Sequence, residues 1–357
     1  MKSLVVVGGG YAGVELAKGL ENDLNVTLVE PRDRFVHAPA MLRSLVDPDT
    51  RGKAIIPYDK LLTKGQWVKS MATEVTAESV FTADGTKIAS DYIVLATGAS
   101  NGGVFKPADA SIDSFLAAQA RVEQQIRNAK TIVIVGAGAV GTELAGEIAH
   151  RYSEKSVSLV SADSNLFPGF PPKLGKGLEQ ALKKMGVDLI LGQRVENLAS
   201  STEPYSGTVN LTGGGSIDAD LVIPAIGSTP QTTLFETLPD VTKSADGRIK
   251  VDGYMRPSSL PNVFAAGDAV DAGDAMTIVA ISRQHPWLAK TLKALAQGKE
   301  LRSQRQYTPW DKAPCLVPLG PERGNSFLGF ATFGDWVTRK MKGRDLFIPK
   351  YRKLLGY

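Results

Sequence analysis

Two runs of β-branched and apolar residues, Ser3–Val7 and Thr131–Val135, each end in a glycine cluster and pass into a segment with apolar positions three and four residues apart. A short apolar run bounded by turn residues predicts a strand buried on both faces, and the spacing that follows predicts a helix. The same pattern predicts further strands over Asn25–Val29 and Val157–Val160 and a helix over Met276–Gln297. Strands alternating with helices in this way predict an α/β fold built on parallel sheets.

The chain repeats itself. Val6–Ala17 (VVGGGYAGVELA) and Ile134–Ala145 (IVGAGAVGTELA) share seven of twelve positions at an offset of 128 residues. A second pair, Val80–Gly98 and Val209–Gly227, shares a strand, a Gly-containing hairpin turn and an Asp before a β-rich run ending in Gly. Two halves of similar design, joined or one inserted in the other, follow from this.

Glycines at this spacing on a strand-to-helix turn are suited to a dinucleotide. Gly8 permits the tight turn, Gly10 lets backbone approach a pyrophosphate, and Gly13 lets helix and strand pack, with the helix N-terminus facing the negative charge. Glu30, twenty residues beyond Gly10, ends the next strand, where a carboxylate accepts hydrogen bonds from a ribose. Gly136, Gly138 and Gly141 repeat the turn, but the next strand ends at Ser161 rather than an acid. With no arginine in 162–168, the second site reads as taking NADH or NADPH with weak discrimination.

Composition narrows the chemistry. The 357 residues are 43% hydrophobic and 22% charged, enough to bury a core. A single cysteine, Cys315, excludes two-cysteine redox mechanisms within this chain, and three scattered histidines give no metal-ligand spacing, so no metal is expected. The start Met1-Lys2 shows no secretory pattern and no N-myristoylation signal, and no run reaches the ~18 apolar residues of a membrane span. These readings predict a cytoplasmic protein, peripheral to a membrane at most. The net charge of +4 is a property of the tail: residues 339–357 carry seven Lys or Arg against Asp345 alone. Such a run reads as a solvated face or as a contact with an anionic membrane surface; nucleic acid is not expected, and a homodimer stays open.

The order GGGYAG, ATG (Ala96–Gly98), GAGAVGTE, AIG (Ala225–Gly227) and AAGD (Ala265–Asp268) resembles the pyridine-nucleotide-dependent flavoprotein reductases from Met1 to about Gly298. Leu319-Gly320-Pro321, Lys342–Phe347 and the Phe35, His37, Leu42, Arg43 pattern are similar to the apoptosis-inducing-factor-like branch that includes ferroptosis suppressor protein. The resemblance implies two Rossmann-like, glutathione-reductase-like dinucleotide domains, one inserted in the other, plus a small C-terminal domain. Its boundaries are 1–105 with 225–298 for FAD, 106–224 for NAD(P)H and 299–357 for the C-terminal domain with the basic tail. It implies FAD as cofactor, held by Gly8, Gly10, Gly13, Glu30, Arg43, Thr97, Gly98, Gly267 and Asp268. NADH or NADPH is the implied reductant, held by Gly136, Gly138, Gly141, Glu143, Ser161 and Gly227, and a quinone is the implied acceptor.

The resemblance also places Glu143 toward flavin and nicotinamide, as a residue that positions the cofactors; Glu15 holds the same position in the first repeat, which leaves first-turn preference for acids as the other reading. Gln284 and His285 are candidates for a quinone carbonyl, His285 as proton donor, with Pro286 expected to kink or start the helix. Lys342 is a candidate for contact with the flavin. In the tail, Trp336, Val337 and Met341 are expected to face a core. A reductase of a small redox protein, docked by the basic tail, and a nicotinamide-sensing flavoprotein with a binding or assembly role are the alternatives.

Overall fold

The computed structural model describes residues 1–101 and 104–357. The first sheet is five-stranded and wholly parallel, in the order Val263–Ala265, Tyr92–Leu95, Ser3–Val7, Asn25–Val29, Gln66–Val68. The second runs Val187–Leu191, Ser156–Ser161, Thr131–Val135, Ser216–Pro224, with Tyr205–Asn210 antiparallel at the edge. Two Rossmann-like units result, and the first is completed by a strand that the chain supplies only after the second has been built.

The unbroken apolar strands have a physical reason. Leu4 and Val6 pack with Leu16 and Leu20 of the helix Tyr11–Leu20, while Val5 and Val7 pack on the other face with Val80 and Phe235. Ile132 and Ile134 pack with Leu144 and Ile148 of the helix Ala139–Arg151, and Val133 and Val135 with Val209 and Val222. Each fully buried Val or Leu contributes about 1.5–3 kcal/mol, so one charge at Val6 or Ile134 would cost the sheet its register with the helix. The repeated Asp acts alike in both halves. The Asp91 carboxylate accepts from Ser3 N at 2.8 Å, and that of Asp220 from Thr131 N at 2.9 Å, so each fastens the start of its central strand.

The second hairpin departs from the first. Lys87–Ala89 and Tyr92–Leu95 are separate strands, whereas Ser216–Pro224 is one continuous strand of nine residues. The helix over Ile278–Ala296 is capped by Thr277 and runs through Pro286 instead of starting there.

The C-terminal region begins with an antiparallel sheet, Cys315–Leu319, Arg323–Phe327 and Thr332–Phe333. It lies on the helix Ala139–Arg151, where a Cβ on Gly146 would fall 2.6 Å from Leu319 Cα. A short helix, Asp335–Thr338, runs into a π-helical stretch, Arg339–Gly343. Leu346 and Phe347 then take the left-handed conformation (φ 52° and 63°), turning the last helix, Ile348–Leu354, back onto the first unit. There Tyr351 stacks on Phe35 with ring centroids 5.4 Å apart, and Leu355 enters the same core. Leu346, Tyr351 and Leu355 are buried, but Trp336 and Met341 are 71% and 41% exposed and Val337 is half-buried, which corrects the expectation of a core-facing stripe there.

Candidate active site

Both glycine turns share one backbone hydrogen bond. Gly8 N donates to Val29 O at 2.9 Å and Gly136 N to Val160 O at 2.8 Å. Gly8 and Gly136 have φ of 105° and 107°, and a Cβ on Gly13 or Gly141 would lie 1.8 or 1.9 Å from the carbonyl oxygen of Gly8 or Gly136. Those four glycines are demanded by the fold. Gly10 and Gly138 are not: a Cβ on either meets no protein atom within 4 Å. Each is the N-cap of its helix without a side-chain cap, whereas the helices Ile112–Asn128 and Ile278–Ala296 are capped by Ser111 and Thr277. Open space and uncapped N–H groups fit a phosphate approaching from outside.

A cleft of about 710 Å³ opens over the first turn, lined by Gly8, Gly10, Glu30, Thr97, Gly98, Gly267 and Asp268 among others. The structure thereby brings together residues from four separated stretches of chain. Glu30 is buried; its carboxylate accepts from Gly9 N at 2.6 Å and from Arg32 Nε at 2.7 Å. Burial pushes its pKa upward, but the Arg32 charge and these hydrogen bonds outweigh it and hold the carboxyl below its usual range. Tyr58 Oη donates to Gly9 O at 2.6 Å, fixing the loop, and Lys106 Nζ lies 3.2 Å from the Asp268 carboxylate. Arg32, Tyr58 and Lys106 all line the cleft and were not singled out from sequence. Arg32, two residues after the acid, offered a signal; Lys106, far from any motif, offered none.

Arg43 is not among the residues lining that cleft. Its guanidinium grips Glu147, Nε to Oε1 at 3.0 Å and Nη2 to Oε1 at 2.8 Å, joining the helix Ala38–Arg43 to the helix Ala139–Arg151. One turn earlier, Glu143 Oε1 accepts from Lys342 Nζ at 2.7 Å, and Leu316 O accepts from the same ammonium at 3.1 Å. Burial pushes the Glu143 carboxyl up, with Lys342 acting against it. Burial, with Glu143 adding to it, pushes the neighbouring Cys315 thiol up to about 12.

Gln284 and His285 meet different neighbours. The Gln284 amide is occupied, Oε1 by Gly267 N at 2.8 Å and Nε2 on Asp274 Oδ2 at 3.1 Å, which fixes the Gly267–Asp268 turn. His285 Nε2 lies 3.6 Å from Glu15, outside the residues lining the cleft. Ser161 Oγ accepts from Asp163 N at 3.2 Å beside the second turn, and Gly227 is exposed with a φ of 72°. His37 is fully buried, its Nε2 bonded to Leu346 O and its Nδ1 to Tyr11 Oη at 3.2 Å.

Two nucleotide turns, a cleft over the first and a buried acid–base pair on the helix after the second fit a flavin- and nicotinamide-dependent oxidoreductase. The chain belongs to the pyridine nucleotide-disulphide oxidoreductase family, whose model matches residues 2–298. Apoptosis-inducing factor homolog B of Dictyostelium discoideum is 32% identical over 98% of this chain and 96% of its own length. Ferroptosis suppressor protein 1 of Xenopus laevis is 27% identical over 99% and 96%. In fold, the chain is similar to sulfide:quinone oxidoreductase from Aquifex aeolicus (TM-score 0.76, 18% identity, 99% and 90% covered). It is also similar to NDH2 from Plasmodium falciparum in complex with NADH (TM-score 0.75, 14% identity, 98% and 97% covered). FAD and NAD(P)H are the cofactors of this chain, and its two turns fit them. Among the described residues no helix is long and apolar enough to cross a membrane.

Proposed function

We propose that the protein is an NAD(P)H:quinone oxidoreductase in which the acceptor is reduced directly at the flavin. The flavin half comprises 1–105 and 225–298, the NAD(P)H half 106–224, and residues 299–357 form the unit that closes on both. Bound FAD would supply the two-electron redox chemistry that links NAD(P)H to the acceptor. Gly10 and Gly138 admit the two pyrophosphates, Glu30 takes the adenosine ribose of FAD, and Gly267-Asp268, steadied by Gln284, takes its ribityl chain.

The observation that carries the reading is the Lys342–Glu143 pair, with side chains 12% and 6% exposed. Reducing a quinone to a quinol with NAD(P)H consumes one proton beyond the hydride, so the reaction needs a proton held near the redox centre. Lys342 is the proposed holder of that proton, its ammonium fixed by Glu143 Oε1 at 2.7 Å and Leu316 O at 3.1 Å. Cys315, alone and with its thiol held protonated, gives no thiol relay to a disulphide. Direct discharge of the flavin is what remains.

The test is anaerobic stopped-flow flavin absorbance: reduction with NADH or NADPH, then mixing with a short-chain ubiquinone analogue. Fast reoxidation with sustained turnover is expected. Lys342→Met should leave reduction nearly intact and slow reoxidation about 100-fold, the scale of one general acid. Normal reduction with slow quinone reoxidation in the unaltered protein would overturn the quinone and favour a protein carrier or a sensing role.

A further inference from the structure

The two nucleotide turns share one local geometry but differ in charge at the ribose edge. The equivalent bonds Gly8 N to Val29 O and Gly136 N to Val160 O make Glu30 and Ser161 structural counterparts. In both copies the counterpart's side-chain oxygen accepts the N–H two residues on: Arg32 N to Glu30 Oε1 at 3.0 Å, Asp163 N to Ser161 Oγ at 3.2 Å. Arg32 folds back on Glu30, so the first edge is neutral. The second edge has Asp163 where the first has Arg32.

Asp163 is exposed, and its place does not depend on its side chain, because its carbonyl accepts from Gly192 N at 2.9 Å and Ser161 O accepts from Gln193 N at 2.9 Å. No Lys or Arg occurs between Lys155 and Lys173. The cation next along the clasped segment is Arg194, exposed, with its N–H on Thr212 Oγ1 at 3.0 Å. The acid missing from the end of the strand is therefore supplied two residues later.

We infer that Asp163 makes the second site selective for NADH over NADPH, an assignment that rests on the second turn being the nicotinamide site. The Ser161 hydroxyl, already accepting from Asp163 N, is left as a donor to a ribose 2′-oxygen. The Asp163 carboxylate repels the ~2 negative charges that a 2′-phosphate adds.

The test reads binding rather than turnover. The FAD-loaded protein is titrated calorimetrically with ADP-ribose and with 2′-phospho-ADP-ribose, in the unaltered chain and in Asp163→Asn, Asp163→Arg and Arg194→Ala. ADP-ribose should bind about tenfold tighter or more in the unaltered chain, with the gap narrowing as salt is raised. Asp163→Asn should shrink the gap, Asp163→Arg should invert it, and Arg194→Ala should leave it in place. Equal binding in the unaltered chain, or a gap untouched by both Asp163 changes, overturns the assignment while leaving the nicotinamide site standing. A gap that moves only with Arg194→Ala gives the role to Arg194 and overturns it equally. Failure of both ligands to bind removes the nicotinamide site and the assignment together.

Discussion

Replacing Arg43 with methionine tests how the two nucleotide halves are joined. Arg43 and Glu147 are 9% and 4% exposed and meet through three N–O contacts between 2.8 and 3.1 Å. Removing the cation leaves Glu147 buried, one turn from Glu143, with Lys342 as the remaining cation described there. An uncompensated buried charge of this kind costs about 3–5 kcal/mol. At about 2 °C per kcal/mol for a chain of this size, the melting temperature should fall by roughly 6–10 °C. Arg43→Met/Glu147→Met, which removes both charges, should return to within about 1–2 kcal/mol of the original, because two apolar side chains carry no desolvation penalty. Denaturant midpoints followed by near-UV circular dichroism and by flavin fluorescence measure the cycle and show whether the halves separate before they unfold. A single-variant loss below about 1 kcal/mol, or a double variant no better than the sum of the singles, would refute the reasoning.

Two further outcomes are expected. Burial, with Lys342 and Lys350 adding to it, lowers the His37 pKa to about 4. Unfolded histidine takes up its proton below about 6.5, so His37 contributes stability that is present above about 6.5 and lost as pH falls toward 4, to a total of about 3 kcal/mol. His37→Gln should flatten the urea midpoint over that window; an unchanged acid slope would assign it to other groups. Phe330 and Trp336 are 81% and 71% exposed, and Lys340 lies over the Trp336 ring. If this face meets an anionic bilayer, Phe330→Ser/Trp336→Ser should weaken binding to phosphatidylglycerol vesicles by about tenfold for each ring that partly buries, as read in sedimentation; equal binding would sink the idea.

What the sequence disclosed and what it hid divide along physical lines. The glycine turns were legible because Gly8 and Gly13 are imposed by backbone contacts inside one strand–turn–helix unit, and local constraints leave fixed spacings. The central strands Ser3–Val7 and Thr131–Val135 were legible because both of their faces are buried, leaving no polar alternation to mislead. The Arg43–Glu147 pair was not legible because the two residues lie 104 apart and no pattern around Arg43 announces Glu147. The tail misled for another reason. A helical stripe drawn through Trp336, Val337 and Met341 assumes one period, but the π-helical Arg339–Gly343 and the left-handed Leu346–Phe347 shift the face, turning Trp336 outward and Tyr351 inward. Asp163 was passed over because the rule looks for an acid at the strand end, and the turn moves the acid two residues beyond it.

The late arrival of Val263–Ala265 beside Tyr92–Leu95 sets the order in which a nascent chain becomes native. The sheet formed by residues 131–224 is contiguous and can close while synthesis continues. The first sheet must wait for 168 more residues after Leu95, roughly 10–30 s at ribosomal speed, with one edge unpaired. Its aromatic cluster waits longer still, for Tyr351. Half of the cleft is therefore made first and finished last, so a ribosome that stalls inside residues 225–262 holds a folded second unit beside an open sheet edge, the state most prone to chaperone capture or aggregation.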